Sequence, residues 1–500
     1  MTHIMSAISK FYPPMLNTIL LAISFIEWIY ILITVAYFCT VMSIIWVVIS
    51  ENRNPVRSLA WITVLLMAPV IGIVLYMFFG RSLKSKILSN QRRRRITAQE
   101  LKAYMVDVDR LGFTENTQQS IRLAHTMCQA YYFSGNKVDI FTNGKEKFEA
   151  LRADLLAAKN YINMQYYIFE DDTIGNEIRD ILIAKARQGV KVRVIYDGVG
   201  SFNVSKSFIK PMLDAGVEAY PFMRITFPKF AQRVNWRNHR KIMVIDGKYG
   251  YIGGMNIADR YIDGCNWGTK HVWRDTHLRI SGPAVKAFQH SFALDWSFMK
   301  KGILTDPIAT DCDNEADADA GMQLVTSGPM SEWNNIALMM LNAISNAKHC
   351  IYLQTPYFLP TESLLKALQT AALSGVDVRI MIPRESDSAM LRLASYSYIN
   401  ECLKARIKFF LYDAGMLHAK TLVIDNEISS VGSTNFDFRS FEHNFEGNVF
   451  IYDTAANKRL KEIFIDDLKE CTPCDHKTWS RRPKSRRMLE SLTRLLSPVL

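Results

Sequence analysis

Two long apolar stretches stand out first along this chain. Trp28 to Ile49 and Ser58 to Phe79 hold no charged residue, and each runs for 22 residues. Wound as a helix, such a stretch extends about 33 Å, enough to cross the hydrocarbon of a bilayer. A core helix of that length would ordinarily carry a polar stripe. A cleaved signal peptide would have a shorter apolar run, followed by small residues at a cleavage site. The pattern predicts a pair of transmembrane helices, about 28–49 and 58–79, within residues 1–80.

Beyond residue 125 the periodicity changes and the chain repeats itself. Ala158 to Tyr167 (AKNYINMQYY) is echoed by Ala347 to Tyr357 (AKHCIYLQTPY), each a helix end running into a buried strand. A helical stretch follows in both places, closed by Gly189 and Gly375, where a left-handed C-terminal residue is favoured. Val190–Tyr196 and Val376–Ile382 are then short runs rich in β-branched residues and read as strands. Alternating helix and strand patterns argue for α/β layers. The repeat predicts a first half, 126–304, and a second half, 321–480. Between them residues 305–320 are acidic, alanine-rich and without apolar periodicity, as an exposed linker would be.

Charge alters the picture less than its total suggests. The formal net charge is +12, but residues 81–95 carry +7 and residues 480–494 carry +5. The rest of the chain is neutral, which removes the case for a nucleic-acid partner. The first tract (Arg81, Lys84, Lys86 and Arg92 to Arg95) opens the segment 81–125, directly after the second apolar stretch. The connector between the stretches holds only Glu51, Arg53 and Arg57. A multi-pass protein of the cell (inner) membrane is therefore expected, with everything after residue 80 cytoplasmic and in contact with anionic lipid headgroups. In the tail, 481–500, basic residues run into Met488-Leu489 and Leu492 to Leu500. That segment reads equally well as an interfacial element or as a solvated end. Eight cysteines without framework spacing fit a reducing compartment. Cys471-x-x-Cys474 lacks the second pair that a zinc site needs.

The chemistry lies in the second part of each repeat. Asn238-His239-Arg240-Lys241 leads through Ile242–Ile245 to Asp246, and then to Gly253-Gly254-Met255-Asn256. Leu417-His418-Ala419-Lys420 leads to Asp425, and then to Gly432-Ser433-Thr434-Asn435. A His and a Lys two apart in extended chain project from one face. Asp246-Gly247 and Asp425-Asn426 are hairpin-turn pairs, so each Asp is expected to shape a turn, and each is also counted in the catalytic set with the His and Lys of its motif. A single H-x-K-x₄-D pattern arises by chance in roughly one chain in thirty of this size. Two copies 179 residues apart, each followed at the same spacing by G-[GS]-x-N, do not. Phosphodiester displacement needs a nucleophile, an acid for the leaving oxygen and cations around the charged oxygens. Two imidazoles and two ammonium groups supply these without a metal or cofactor. His125, His271, His277, His290 and His443 lack a paired pattern and are expected to be structural or supporting.

These paired motifs resemble the HKD motifs of the phospholipase D superfamily. The resemblance implies two pseudo-twofold-related α/β/α sandwich halves, with both motifs at one active site. Here a two-helix transmembrane hairpin would precede them. It implies that one histidine, by family pattern His239, attacks phosphorus and forms a phosphohistidine. The other, His418, protonates the leaving alcohol and then deprotonates the acceptor. Lys241, Lys420, Asn256 and Asn435 match the groups that hold the phosphate oxygens. Trp273–His277 and Asn444–Asn448 resemble the strands that place a carboxylate behind each histidine. Glu446 is thus expected behind His418, and Asp275 behind the other, although extra residues surround Gly264–Lys270. Arg237, Arg240 and Lys241 flank His239 and are expected to keep it neutral.

Resemblance to bacterial cardiolipin synthases covers nearly the whole chain. It includes Asn54-Pro55, Trp61, Pro69, Gly72, Tyr76 and Phe79-Gly80 at the start and Arg494 to Pro498 at the end. It implies condensation of two phosphatidylglycerols into cardiolipin and glycerol, with phosphatidylglycerol and anionic membrane lipids as partners. Another phosphatidyl transferase or a lipid-hydrolysing phospholipase D is the next reading. A nuclease of the same superfamily is disfavoured by the neutral body and the apolar stretches. A non-catalytic lipid-binding scaffold would have no use for two intact motifs.

Overall fold

The computed structural model describes residues 13–50, 55–76, 107–223, 236–262, 272–299, 304 and 319–497. The chain divides into two compact units, a helical one at the N-terminus and a large α/β body.

In the N-terminal unit, Pro13–Ser50 is one helix of 38 residues. Its part Leu21–Trp46, of mean hydropathy 2.1, is long and apolar enough to cross a membrane. Leu21, Phe25, Trp28, Phe38 and Trp46 turn their side chains outward. The hydroxyls of Thr34 and Thr40 donate to the carbonyls of Tyr30 and Ala36, both at 2.8 Å, so these polar groups need no outside partner. The second apolar stretch differs from expectation. It forms two helices, Pro55–Met67 and Pro69–Leu75, instead of one unbroken span. Pro69 supplies no backbone donor and forces Ala68 out of helical geometry, to φ −137° and ψ 68°. Gly72 lets the pieces approach, since a Cβ there would lie 3.0 Å from the Val64 carbonyl oxygen. Among the described residues one helix therefore has the length of a membrane span. The expected basic tract at 81–95 and most of the 305–320 linker lie outside the described residues.

The body is built on one 15-stranded sheet. Its first part contributes β1 (Phe133–Phe141), β2 (Tyr161–Tyr166), β3 (Lys191–Asp197), β4 (Glu218–Phe222), β5 (Ile242–Ile245), β6 (Tyr249–Gly253) and β7 (His277–Ser281). The second contributes β8 (Ala320–Ser327), β9 (Cys350–Gln354), β11 (Asp377–Pro383), β12 (Lys408–Tyr412), β13 (Thr421–Ile424), β14 (Ile428–Gly432), β16 (Glu446–Ile451) and β17 (Cys471–Pro473). A separate two-stranded piece pairs β10 (Phe358–Leu359) with β15 (Phe436–Asp437). The two parts meet where β1 pairs antiparallel with β8. Outward from that seam the order is β1-β7-β6-β5-β2-β3-β4 on one side and β8-β16-β14-β13-β9-β11-β12-β17 on the other.

The strands predicted at 190–196 and 376–382 are β3 and β11, each shifted by one residue. Both enter from a helix whose following glycine is left-handed, Gly189 at φ +90° and Gly375 at φ +101°. Helices such as Gly144–Ala157, Thr173–Arg187 and Glu362–Leu373 cover the sheet with their apolar faces, through Leu151, Ile178 and Leu368 among others. β2 and β9 are buried along their whole length, as sheet strands covered on both faces must be.

Candidate active site

Each H-x-K segment lies in extended chain immediately before a short strand, β5 or β13. The strand then reverses through its Asp. Asp246 and Gly247 take φ of 53° and 67°, and Asp425 and Asn426 take 54° and 58°, the left-handed pair of a tight hairpin. The Asp246 carboxylate accepts from the backbone N–H groups of Lys159, Asn160 and Tyr161 at 2.7–2.8 Å. Asp425 does the same for Lys348, His349 and Cys350 at 2.6–2.8 Å. Both aspartates are latches that pin the start of β2 or β9 to the hairpin.

The segments before the strands are docked across the seam. His239 N–H donates to the Phe445 carbonyl at 2.9 Å, and Phe445 N–H donates to the Arg237 carbonyl at 2.8 Å. In the mirror arrangement, Arg274 N–H donates to Met416 at 2.9 Å and His418 N–H donates to Arg274 at 2.7 Å. This docking decides which carboxylate meets which histidine. Glu446 follows Phe445 and reaches His239, its Oε1 2.9 Å from Nδ1. Asp275 follows Arg274 and reaches His418, its Oδ2 2.7 Å from Nδ1. The expectation that Glu446 backs His418 is corrected: the pairing crosses between the halves. The backbone bridges Asn238↔Phe445 and Arg274↔Leu417 bring each carboxylate-bearing segment beside the histidine of the other half.

The two carboxylates sit in unlike surroundings. Glu446 accepts from the Ser433 hydroxyl, from Asn444 Nδ2 at 3.2 Å and from the ring of His239. Burial would raise its carboxyl, but His239, the Lys241 charge and the Ser433 hydroxyl outweigh that and hold it below the usual carboxylate range. At the position matching Ser433 stands Gly254, where an added Cβ would lie 2.1 Å from Asp275 Oδ1. Asp275 thus has room but no hydroxyl, and its other close donor is the Thr276 N–H at 2.7 Å. Burial pushes its carboxyl up to about 6, with Lys420 opposing.

Burial dominates the bases as well. His239 is lowered to about 4 by loss of solvent, with Glu446 opposing and Lys241 and Lys420 adding to the fall. The flanking arginines do not contribute as expected. Arg240 is turned to Asp295 at 2.6 Å and to the Glu446 and Ser327 carbonyls, while Arg237 pairs with Asp197 at 3.6 Å. His418 falls well below the ordinary imidazole value through burial, then through Lys420, Lys241 and His239. Lys241 is lowered to about 7 and Lys420 to about 8, again by burial first. Each histidine feels both lysines, so the four groups share one electrostatic site. Lys241 Nζ donates to its own motif's His239 carbonyl at 2.8 Å. Lys420 donates to the His418 carbonyl and lies 2.7 Å from His418 Nδ1, which thus faces an ammonium and a carboxylate together.

The asparagines are buried beside this group. Asn256 accepts from Ile168 N–H at 3.1 Å and donates to the Tyr261 hydroxyl at 3.1 Å. Asn435 donates to Asp437, and its Oδ1 has no partner among the described residues. Of the remaining histidines, His277 is wholly buried on β7, while His271 and the Gly264–Lys270 segment lie outside the described residues.

Several neighbours escaped the sequence reading. The Tyr167 ring stands edge-on to His239 at 4.9 Å, with Lys241 Nζ 5.3 Å from its centre. Trp273 and Tyr261 flank His418 at 5.1 and 6.2 Å. Tyr357 donates to Asp387 at 2.6 Å, and Asp387 in turn acts electrostatically on His418 and Lys420. Tyr167 and Tyr357 stand two and three residues after the matched Gln165 and Gln354, so the repeat does not align them and gave no signal for either.

The family profile described as "Cardiolipin synthase, PLD-like domain" matches residues 151–296 and 340–468, which hold both motifs and both carboxylates. This chain belongs to that family. A second profile, "Phospholipase_D-nuclease N-terminal", matches residues 38–81. The major cardiolipin synthase ClsA of Bacillus subtilis (strain 168) is 41% identical over 479 residues, 94% of this chain and 99% of that one. A cardiolipin synthase of Geobacillus sp. (strain WCH70) is 38% identical over 92% of each chain. The crystal structure of phosphatidylserine synthase from Haemophilus influenzae Rd KW20 superposes with a TM-score of 0.59 at 14% identity. It covers 76% of this chain and 100% of that one, a likeness of fold. The mixed α/β fold of this cardiolipin synthase family member is thus the phospholipase D-like one.

Proposed function

We propose that this chain makes cardiolipin by transferring a phosphatidyl group from one phosphatidylglycerol to another, releasing glycerol. The observation that supports the reading is the crossed pairing, which leaves two buried imidazoles beside two lysines with each Nδ1 held by a carboxylate. On His239 the carboxylate at Nδ1 fixes the tautomer whose free lone pair is on Nε2. In the first step His239 Nε2 attacks phosphorus, the bond from phosphorus to the glycerol oxygen breaks, and His418 gives that oxygen a proton. In the second step His418 takes the proton from a headgroup hydroxyl of another phosphatidylglycerol. That oxygen attacks the phosphohistidine and frees His239.

Both imidazoles are held neutral in the empty site, which suits attack but not proton donation. The anionic phosphodiester reverses this for its nearer acid, because a negative charge favours the protonated ring. The Asp275 carboxyl, raised to about 6, lies where it can share that proton with His418. Lys241, Lys420, Asn256 and Asn435 would hold the phosphate oxygens.

The two parts of the sheet repeat one strand order from the seam outward, which favours pseudo-twofold sandwich halves near 126–304 and 321–480. On the same reading, the broken second helix pair crosses the membrane with the first helix, leaving the body cytoplasmic. The test is purified enzyme on phosphatidylglycerol vesicles, with lipids and released headgroup both quantified. Cardiolipin and glycerol in equal amounts support it. Phosphatidic acid as the main product would make the protein a hydrolase.

A further inference from the structure

The last helix, Lys484–Arg494, is reversed in polarity relative to a helix packed on a water-soluble body. Glu490, Thr493 and Ser497 lie on one stripe, at spacings of three and seven, and these polar residues are the buried ones. Met488, Leu489, Leu492, Leu495 and Leu496 form the other stripe and are exposed, Met488 by 65% and Leu495 by 75%. An amphipathic helix covering a core does the opposite.

The helix is also not a loose tail. Both terminal guanidinium nitrogens of Arg482 donate to Glu490, at 2.7 and 2.9 Å, so the buried carboxylate has its counter-charge. The same guanidinium covers the Trp479 ring at 3.6 Å. Arg494 pairs with Glu401 at 2.6 Å and lies 3.9 Å from the centre of the Tyr398 ring. Glu401 and Tyr398 belong to the helix Ala389–Lys404, which begins two residues after Asp387. Arg494 therefore ties the final helix to the element that starts beside the His418 side of the site.

We propose that Lys484–Arg494 is a rigid interfacial foot that seats the catalytic body on an anionic bilayer. Its five apolar side chains enter the boundary between headgroups and acyl chains. Charge decides the occupant. Arg481, Lys484 and Arg487 are exposed around the apolar stripe and match anionic headgroups. A second copy of the chain, packed stripe to stripe, would instead bring two basic fringes together. Because the foot is bolted to Ala389–Lys404, it sets the angle at which the site meets the lipid surface. A membrane-spanning helix alone would leave that angle free.

The test uses the full chain reconstituted in vesicles of phosphatidylglycerol and phosphatidylcholine. A benzoylphenylalanine at Leu492 is expected to cross-link to phospholipid on irradiation. Cross-links only to a second copy, or no lipid adduct at all, would overturn the proposal. Kinetics give an independent check through Leu489→Ser with Leu492→Ser, which leaves the buried polar stripe intact. The expected result is a KM for phosphatidylglycerol surface fraction raised about five-fold, since two apolar side chains no longer enter the interface. The rate on monomeric short-chain phosphatidylglycerol should not change. Equal losses on both substrates would mean a structural role and refute the foot, while leaving the transferase reading untouched.

Discussion

Glu446 Oε1 lies 2.9 Å from Nδ1 of His239, a residue 207 positions earlier in the chain. The carboxylate that orients the first motif's imidazole therefore comes from the second half. On a nitrophenyl phosphatidyl ester, whose leaving group needs no proton, Glu446→Gln should slow the attack about 100-fold or more, with KM little changed. Asp275→Asn should leave that burst nearly intact and slow only turnover of natural lipid. Rapid-mixing measurement of nitrophenol release distinguishes the two. If Asp275→Asn slows the burst more than Glu446→Gln, the crossed pairing has been assigned the wrong roles.

The same ester separates the histidines themselves. His418→Ala should still attack it and accumulate a phosphatidyl-enzyme, recoverable as a labelled peptide containing His239. His239→Ala should give neither burst nor label. A label trapped on His418 instead would exchange their roles.

The buried lysines predict a pH profile. Lys241, lowered to about 7, and Lys420, lowered to about 8, are both largely charged near pH 6 and lose that charge in turn as pH climbs through 7 and then 8. On the acid side, Asp275 takes up a proton below about 6 and loosens its hold on His418. For the free enzyme kcat/KM should therefore be bell-shaped between about pH 6 and 8. The basic limb of kcat should lie higher, because bound phosphate favours the ammonium form. Stability should behave differently. Between pH 7 and the ordinary lysine value the unfolded chain binds more protons than the folded one, so Tm should rise with pH across that window on account of Lys241. A kcat/KM that stays flat to pH 10 on dispersed substrate would refute the lysine assignment.

The aspartates of the two motifs should prove structural. Asp246→Ala removes an acceptor for three backbone N–H groups and puts an alanine at φ 53°. The expected cost is about 3 kcal/mol of stability, read as a lower denaturation midpoint, with activity per folded molecule near that of the parent protein. A folded Asp246→Ala protein with kcat reduced 100-fold at an unchanged midpoint would place that carboxylate in the chemistry.

What the sequence determined was whatever depends on local pattern or on repetition. Alternating apolar runs and glycines at 189 and 375 placed β3 and β11, because strand burial and a left-handed helix end are properties of a few adjacent residues. The doubled H-x-K pattern marked the site, and the Asp246-Gly247 and Asp425-Asn426 pairs marked their turns. The length of the apolar run at 58–79 suggested a helix, but Pro69 broke it, since a ring without an N–H outweighs hydrophobicity. Tertiary structure alone decided the crossing of Glu446 to His239 and Asp275 to His418. That pairing depends on backbone bridges between residues some 140 to 210 positions apart. It likewise decided that Arg237 and Arg240 point away from His239, and that Lys241 and Lys420 lose their water. No pattern in the chain records solvent exclusion, because many distant segments create it by packing together.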